Sequence, residues 1–425
     1  MKSLYLLIFI SFCLAACKDI EDAPALERNT FIRFFEKGDQ YTGQVADIDD
    51  DGFIVAGNVQ TTDLKTAIVV TKTDALGNII WEETIENASV SSIKTVSDGY
   101  LIFGDSIEVD PTAQSINDIT KTKAQLLKMN KESHQIIDRV TIKSRSDNTK
   151  DFHGYAVNVD ASNNIVVVGS INTPTQSTQF FVAGINATSL DTLWTRKKEL
   201  IDRDYDNSKS VYFTTSGKVI WASSAVKTQQ NSVRAYLTIP VVQPQSDFVN
   251  SSYFGENEDN YYSAADIKET PIGFGIIGTY STPSRDKANM YFVRANQNGT
   301  IIQGSEKFFD GVHSEDNSIL TDKGISESED SGDALTATSD GGFLLAGSSL
   351  TTTSRGNGGK DVFLVRIDAF GNILWNKIIG GAGDETVSSV KTTTDGGFLI
   401  CGSSAINGLS SAYIIKTDRN GDIKN

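Results

Sequence analysis

The side chains that could carry acid–base or metal chemistry are few and scattered in this sequence. The three histidines are His134, His153 and His313, and no two of them have the spacing of metal ligands. Gly-x-Ser-x-Gly, phosphate-loop and His-Glu-x-x-His patterns are absent from the 425 residues. With 54 acidic residues, some carboxylate pair will always look suitable for glycoside hydrolysis, and only a measured separation identifies a true pair. The sequence therefore predicts no catalytic residue, although it leaves an enzymatic activity open.

Acidic residues are concentrated between positions 310 and 333, where Lys323 is the one basic residue. Carboxylate oxygens are hard ligands that suit calcium, and the candidate ligands in this stretch are Asp316, Asp322 and Asp330. The stretch has no fixed ligand spacing, so a solvated acidic run is the competing interpretation. No organic cofactor is predicted, and calcium is the one metal that the sequence brings into consideration.

Composition and charge restrict the class of protein and its partners. Hydrophobic residues make up 39% of the chain and glycine is frequent at 35 residues, which is typical of a turn-rich globular protein with a sizeable core. The formal net charge of −16 repels phosphate backbones, so nucleic acid is not an expected partner. Cys401 stands in the apolar run FLICGSS and is predicted to be a core residue rather than a reactive thiol.

The first seventeen residues read MKSLYLLIFISFCLAAC and have the pattern of an export signal. Lys2 supplies the positive charge, and the apolar run from Leu4 to Leu14 is too short to span a bilayer. The ending Leu14-Ala-Ala-Cys17 resembles a bacterial lipobox. This resemblance implies cleavage before Cys17, lipidation of the Cys17 thiol and acylation of the new amino terminus. Two or three acyl chains would then anchor the protein stably in a membrane. A soluble secretory signal cut nearby is the alternative.

The leader defines the predicted domain boundaries and the location. Residues 1–16 form the signal peptide, residues 17–29 the lipidated cysteine and a linker, and residues 30–425 the folded body. The charged run Lys18–Asp22 resembles the surface-export signal of Bacteroidota lipoproteins, and a plain solvated tether explains it almost as well. The prediction is an outer-membrane lipoprotein of the cell envelope, attached through its lipid and monomeric.

One unit of four short strands recurs along the folded body. Each unit has a strand of small residues, an Asp-Gly turn, a more apolar strand ending in glycine, a third strand, a Gly-Asn turn and a fourth strand. The apolar second strands number seven and begin near positions 52, 99, 164, 218, 273, 342 and 397. Their mean spacing of about 57 residues is near the range for four-stranded blades. The sequence therefore predicts an all-β, seven-bladed propeller.

The two ends of the repeat array complement one another. The last unit stops at Asn425 without a fourth strand, whereas an extra strand, TFIRFFE at 30–36, precedes the first unit. We expect this N-terminal strand to complete the last blade and so remove an exposed edge. The segment Asp418–Asp422 superficially resembles a calcium loop, but it occupies the Gly-Asn turn of the repeat and is predicted to be a turn.

Two repeats carry the phrase Asp-x-x-Gly-Asn-Ile-x-Trp, at 74–81 and 368–375, together with Asp-Gly-Gly-Phe at 340–343 and 395–398. These phrases resemble those of secreted Bacteroidota propeller proteins, and they are similar to the tryptophan-docking repeat of quinoprotein propellers. Most units here lack the tryptophan, and no cofactor-binding set is present. The resemblance implies a fold and a location more than an activity. The tryptophans Trp81, Trp194 and Trp375 fall on fourth strands, where we expect them to wedge between blades.

The long insertions all fall on one predicted face of the propeller. They join second to third strands or one blade to the next, and they hold the candidate binding residues Asp105, Asp110, Asp118, Asp151, His153, Glu315 and Asp316. Variable loops on a rigid scaffold are where binding usually occurs. The first functional hypothesis is a non-enzymatic module that binds a glycan or a protein through this face. The alternatives are a hydrolase or lyase acting on polysaccharide, and a structural component of an envelope complex.

Overall fold

The computed structural model describes most of the folded body. The described residues are 29–60, 65–109, 119–142, 151–160, 162–173, 176–198, 203–205, 210–214, 217–229, 232–242, 248–255, 260–282, 288–313, 319–320, 328–350 and 358–424. These residues form strands and turns and no helix, and the strands make seven antiparallel sheets. The predicted fold is confirmed, because the seven sheets are the four-stranded blades of a β-propeller.

The strands follow the order predicted from the repeats. The first half of the chain contains β1 (Phe31–Phe35), β2 (Tyr41–Asp49), β3 (Gly52–Gln60), β4 (Thr66–Asp74), β5 (Ile79–Glu86), β6 (Ala88–Val96), β7 (Gly99–Val109), β8 (Ile119–Asn130), β9 (Ile136–Thr141), β10 (Asp151–Val159), β11 (Asn164–Thr173), β12 (Gln176–Asn186), β13 (Thr192–Lys198), β14 (Arg203–Tyr205) and β15 (Val211–Phe213). The second half contains β16 (Val219–Trp221), β17 (Ser223–Gln229), β18 (Ser232–Val242), β19 (Phe248–Phe254), β20 (Tyr261–Thr270), β21 (Gly273–Ser281), β22 (Ala288–Ala295), β23 (Lys307–His313), β24 (Ile319–Leu320), β25 (Glu329–Asp330), β26 (Ala334–Ala337), β27 (Phe343–Leu350), β28 (Asp361–Ile367), β29 (Ile373–Ile379), β30 (Asp384–Thr392), β31 (Phe398–Ile406) and β32 (Leu409–Thr417).

Blades one to three are the regular sheets β2–β5, β6–β9 and β10–β13. In the fourth blade the second strand is divided into β16 and β17, and β14 pairs with β17 as an additional short strand. The fifth blade, β20–β23, carries the extra strand β24. In the sixth blade the first strand is divided into β25 and β26, which both pair with β27. Of these irregular blades, the fourth is the one in which the sequence repeat is hardest to follow, whereas the sixth contains the phrase at 368–375.

The core lies between blades rather than within one layer. Each apolar cluster combines side chains from two neighbouring blades, as in the contact between blades one and two that contains Ile54, Val70, Ile102 and Leu127. Because the second and third strands are buried on both faces, they are continuously apolar instead of alternating. This double burial explains why runs such as GFIVAG are so hydrophobic.

Hydroxyl and carboxyl groups of the first strands tie each blade to the next around the axis. The Ser92 hydroxyl accepts a hydrogen bond from the Val157 N–H at 3.3 Å, and Ser389 accepts one from the Ala46 N–H at 3.0 Å. The same position in the fifth blade is Asp266, whose Oδ2 accepts from the Leu335 N–H at 3.1 Å. The small first-strand residues thus serve a bonding role as well as fitting the crowded axis.

The N-terminal strand is the outer strand of the seventh sheet. β1 lies antiparallel to β32, with Phe31 opposite Lys416 and Phe35 opposite Ala412. Phe31 and Phe35 are buried with Tyr41, Phe53 and neighbouring apolar residues, while the intervening side chains face outward. The first and last strands of the array are therefore parts of one sheet.

The turns between third and fourth strands are closed by an aspartate or asparagine at the end of the third strand. Asp74 Oδ1 accepts hydrogen bonds from the N–H groups of Leu76 and Asn78 at 2.9 and 2.8 Å. Asp418 Oδ1 accepts from Asn420 and Asp422 in the same way, at 2.8 and 3.0 Å. The segment from Asp418 to Asp422 is therefore a hairpin turn, as the repeat predicts.

The three fourth-strand tryptophans are partly buried and pack against the inter-blade clusters. Trp81 stacks on His134 with ring centroids 4.3 Å apart, and Trp375 meets Phe398 edge-on at 6.1 Å. His134 therefore has a packing role on the short-turn side of the second blade. The fully buried tryptophan is a different one, Trp221, in the divided second strand of blade four.

Candidate functional site

A polar channel runs along the axis of the propeller. Its described walls come from the first strands β2, β6, β10, β15, β20 and β30, together with Ser210 just before β15. Its volume is about 300 Å³, at the lower end of the range for small-molecule sites. The channel is therefore large enough for one small ligand.

Strand register defines one equivalent position in every blade, and five of the seven residues at this position line the channel. This position is on the first strand of each blade, opposite the third residue of the apolar second-strand run. The residues that occupy it, in blade order, are Asp47, Lys94, Asn158, Tyr212, Lys268, Thr336 and Lys391. We name these seven residues the axial ring. Three of the seven are lysines, which is unexpected in a chain whose net charge is −16.

Asp47 is the acidic member of the axial ring, and two lysines share it. Its carboxylate is 3.3 Å from Lys391 Nζ and 3.9 Å from Lys94 Nζ, and it accepts a hydrogen bond from the Thr95 N–H at 2.9 Å. Burial acts to raise the pKa of Asp47, but the two ammonium groups and the Thr95 N–H outweigh it and hold this pKa below its usual value. Asp47 is therefore ionised, and its carboxylate interacts with both lysine ammonium groups.

Lys94 is left in a positive environment despite this carboxylate. Asp47 raises the pKa of Lys94, but burial and the ammonium groups of Lys391 and Lys268 together bring it below the ordinary value for lysine. A lowered lysine pKa in a polar channel means that its positive charge is incompletely compensated. An added anion would stabilise the charged form.

The third lysine of the ring has a carboxylate of its own. Lys268 Nζ lies 2.6 and 2.7 Å from the two oxygens of Asp266, two residues earlier on the same strand. The ammonium group is also 5.7 Å from the centre of the Tyr212 ring, within cation–π range. Burial, with Asp266 contributing, raises the pKa of Tyr212, so its hydroxyl stays protonated.

Most connections on one face of the propeller are shorter than those on the other, and the exception is the 296–306 connection between β22 and β23. The first-to-second turns are short, and β2 is separated from β3 by Asp50 and Asp51 alone. On the other face, the 110–118 connection joins β7 to β8, and the 142–150 connection joins β9 to β10. We call these the short-turn face and the loop-rich face. Each first strand runs from the loop-rich face to the short-turn face, so the axial ring lies toward the short-turn end of the channel.

Three of the predicted binding residues come together at the loop-rich face, between blades two and three, but they lie on strands β7 and β10 rather than in the predicted loops. Asp105 Oδ2 is 2.8 Å from His153 Nδ1, and Asp151 Oδ1 accepts a hydrogen bond from the Thr122 N–H at 3.0 Å. The other imidazole nitrogen of His153 is 3.4 Å from the Thr122 hydroxyl. We name Asp105, Thr122, Asp151 and His153 the junction cluster. Thr122 is the member that sequence reasoning missed, because a threonine on a third strand has no distinguishing pattern.

The junction cluster is held rigidly by the blades around it. Asp105 Oδ1 accepts a hydrogen bond from the Gly154 N–H at 2.7 Å, which links the second blade to the third. The Asp105 hydrogen bond is the largest influence on the pKa of His153 and raises it; burial opposes this rise, and the charges of Asp105 and Asp151 add to it. Near neutral pH the imidazole is therefore more often a cation than an ordinary surface histidine.

Of the remaining predicted residues, six lie outside the described residues and one, Asp330, is buried in the core. Cys17, Asp110, Asp118, Glu315, Asp316 and Asp322 lie outside the described residues. Asp330 is 2% exposed and accepts hydrogen bonds from the Gly311 N–H and the Ser328 hydroxyl at 2.9 and 2.7 Å. Asp330 is thus a buried residue rather than part of a solvated acidic run.

The described part of the chain holds neither a metal-type cluster of side chains nor a membrane-spanning helix. Within it, no group of three or more histidine, cysteine, aspartate or glutamate side chains is arranged to hold a metal ion. The same described residues include no helix of the length and apolarity needed to cross a membrane.

Comparison with known proteins yields distant structural likenesses. No family model matches the chain, and no curated protein matches it at a significant level. A protein of unknown function from Dyadobacter fermentans DSM 18053 aligns with 91% of this chain and 97% of its own, at 9% identity and a TM-score of 0.45. An α-L-arabinanase from Penicillium chrysogenum aligns with 78% of this chain and 94% of its own, at 10% identity and a TM-score of 0.45. A Trypanosoma rangeli sialidase aligns with 85% and 59%, at 12% identity and a TM-score of 0.44. Likenesses this distant carry no argument about activity.

Proposed function

We propose that this chain is a lipid-anchored binding protein of a bacterial cell envelope that presents its loop-rich face to a glycan. In this proposal residues 1–16 are removed as a signal peptide, and Cys17 carries the lipid that holds the protein at the outer membrane. The Bacteroidota-type lipoprotein features of the leader support the location. The junction cluster is the observation that carries the binding function.

The path of the N-terminus supports the orientation of the protein on its membrane. β1 begins at Phe31, opposite Lys416, and Thr30 accepts a hydrogen bond from the Lys424 N–H at 2.8 Å beyond the last hairpin turn. The linker of residues 17–29 therefore joins the propeller on the short-turn face. A linker spanning 17–29 reaches at most about 40 Å when fully extended. With the tether on one face, the loop-rich face is directed away from the membrane.

The chemistry of the junction cluster suits sugar hydroxyls. A carboxylate, an imidazole with a raised pKa and a hydroxyl lie within one rigid group, and His153 and Asp105 retain 27% and 15% side-chain exposure. Asp105 and Asp151 accept hydrogen bonds, while the imidazolium and the Thr122 hydroxyl donate them. Prepositioned donors and acceptors bind a polyhydroxylated ligand with little cost in ordering.

Changing Cys17→Ser is expected to release the protein from membranes, because acyl transfer needs the thiol. The measurement is fractionation of cells that express the full chain, followed by detection of the protein in membrane and soluble fractions. A Cys13→Ser variant is the matched control, since it alters a cysteine within the removed leader. Cys17→Ser protein that stays with the membrane would contradict lipid anchoring.

Changing His153→Gln is expected to weaken glycan binding on an array at least about tenfold, because the imidazolium donor is lost. Binding by the wild-type protein is expected to fall as pH rises through the raised pKa of His153, and the variant should lose this dependence. His134→Gln is the matched control, since His134 stacks on Trp81 at the short-turn side. A blank array with the wild-type protein would oppose the glycan proposal and favour a protein partner. If the wild-type protein and His153→Gln bound the glycan equally well, the junction cluster would not be part of the glycan-binding site.

Catalysis on polysaccharide is the second candidate function, and the Asp105–His153 pair is the observation in its favour. A carboxylate that orients an imidazole is the arrangement that activates a nucleophile, here the Thr122 hydroxyl at 3.4 Å. The raised pKa of His153 argues against it, since a general base must be neutral to accept a proton. Incubation of any array ligand with the protein, followed by product analysis, separates a binder from an enzyme.

A further inference from the structure

The axial ring has more positive charge than the carboxylates around it neutralise. Lys94, Lys268 and Lys391 face two carboxylates, Asp47 and Asp266, and Lys268 is paired closely with Asp266. Among the residues that the structure describes, Lys94 and Lys391 therefore share one carboxylate, that of Asp47, at 3.9 and 3.3 Å. These two lysine side chains keep 36% and 28% of their surface exposed, whereas the Asp47 side chain keeps 7%. The excess charge is open to the channel.

The rest of the channel wall combines apolar side chains, such as Val45 and Val390, with hydrogen-bonding groups. Gln44, Ser91 and Ser388 precede the axial ring on their strands, so they lie toward the loop-rich end of the channel. Amide and hydroxyl groups of this kind donate and accept hydrogen bonds with the hydroxyls of a ligand. The channel thus has a cationic end and a hydroxyl-binding end.

We propose that the axial channel binds a small hydroxylated carboxylic acid, a sugar acid, with its carboxylate between Lys94 and Lys391. The single excess positive charge matches a monoanion, and a volume of about 300 Å³ accommodates one monosaccharide. The ligand's hydroxyls would face Gln44, Ser91 and Ser388. This site is separate from the junction cluster and does not depend on the function proposed for it.

The lowered pKa of Lys94 supports this geometry. Because burial and the neighbouring ammonium groups disfavour the charged form, an anion that enters the channel relieves this repulsion. Binding should weaken with added salt, since the attraction is electrostatic.

The test is isothermal titration calorimetry of residues 18–425 with glucuronate, glucose and inorganic phosphate as separate probes. Glucuronate should bind and glucose, its neutral counterpart, should bind at least about tenfold more weakly. Lys94→Met and Lys391→Met should each weaken glucuronate binding by a similar factor, because each removes one ammonium group. Lys94→Arg keeps the charge and should retain binding. Lys360→Met is the matched control, since Lys360 is a surface residue paired with the exposed Glu329.

Several results would overturn the proposal. If glucuronate did not bind, or if glucose bound equally well, the ligand's carboxylate would not be the group that the channel recognises. Tighter binding of phosphate than of glucuronate would show that the channel selects a different anion. Wild-type affinity in both methionine variants would place the ligand elsewhere. Thermal melting of every variant shows whether it is folded, and Lys94→Arg keeps the test informative if the methionine variants are not.

Discussion

Removal of residues 30–36 is expected to abolish cooperative folding of the propeller. Phe31 and Phe35 are buried against Tyr41, Phe53 and Leu399, and replacement of a buried phenylalanine by alanine costs about 3–5 kcal/mol. Two such losses approach the whole stability of an ordinary domain, about 5–15 kcal/mol. Truncation would also remove the strand that pairs with the outer edge of β32. The lost pairing runs from Phe31 opposite Lys416 to Phe35 opposite Ala412. Circular dichroism melting of residues 18–425 and 37–425 measures the effect.

Point variants in β1 separate core packing from the loss of the strand. Phe35→Ala should lower the free energy of unfolding by about 3–5 kcal/mol, because its side chain is 4% exposed. Phe34→Ala is the matched control, with a side chain that is 56% exposed, and it should cost less than about 1 kcal/mol. An unchanged melting curve for the truncated chain would show that β1 is dispensable to the seventh blade.

Changing Asp330→Asn is expected to stabilise the protein at pH 8 and to flatten its stability between about pH 4 and pH 7. Burial raises the pKa of Asp330 to about 7, and Asp310 adds to the rise, against the hydrogen bonds from Gly311 and Ser328. A group that is protonated in the folded state and ionised in the unfolded state makes stability fall as pH rises between the two pKa values. Above the folded pKa the loss is complete, at up to about 4 kcal/mol.

Urea unfolding at a series of pH values measures this effect. Asparagine keeps an oxygen for the Gly311 N–H and carries no charge, so the variant should be the more stable protein above pH 7 and should gain little at pH 4. Asp333→Asn is a control in the same stretch, since Asp333 accepts a hydrogen bond from the Ser331 hydroxyl and is only half-buried. A variant less stable than wild type at pH 8 would contradict a protonated Asp330. Stabilisation of the wild type by added calcium would also contradict it and would point to a bound cation.

Much of the architecture follows from local pattern in the sequence. Asp74 and Asp418 end third strands and close the following turns through side-chain hydrogen bonds, which is a local preference of aspartate. The continuously apolar second strands, such as Phe343–Leu350, reflect burial on both faces and mark the blades. Blade four was less clear, because its second strand is divided into β16 and β17 and its repeat is the most degenerate.

The sites were less predictable than the fold. Asp105, Asp151 and His153 were selected as loop-face residues, but their convergence on Thr122 depends on contact between two neighbouring blades. Asp330 was grouped with a solvated acidic run, because composition does not show which residue of such a run is buried. Cys17 and the remaining loop candidates stay predictions from the sequence.

The sequence by itself determined the strand order, the turn chemistry and the number of blades. These depend on residues a few positions apart, where backbone geometry and side-chain preference act directly. The axial ring was decided only by the tertiary structure. Lys94, Lys268 and Lys391 occupy equivalent positions of their repeats but are more than a hundred residues apart, and only a ring of blades around one axis brings their charges together. The excess positive charge arises only where these residues come together, so no local sequence pattern reveals it.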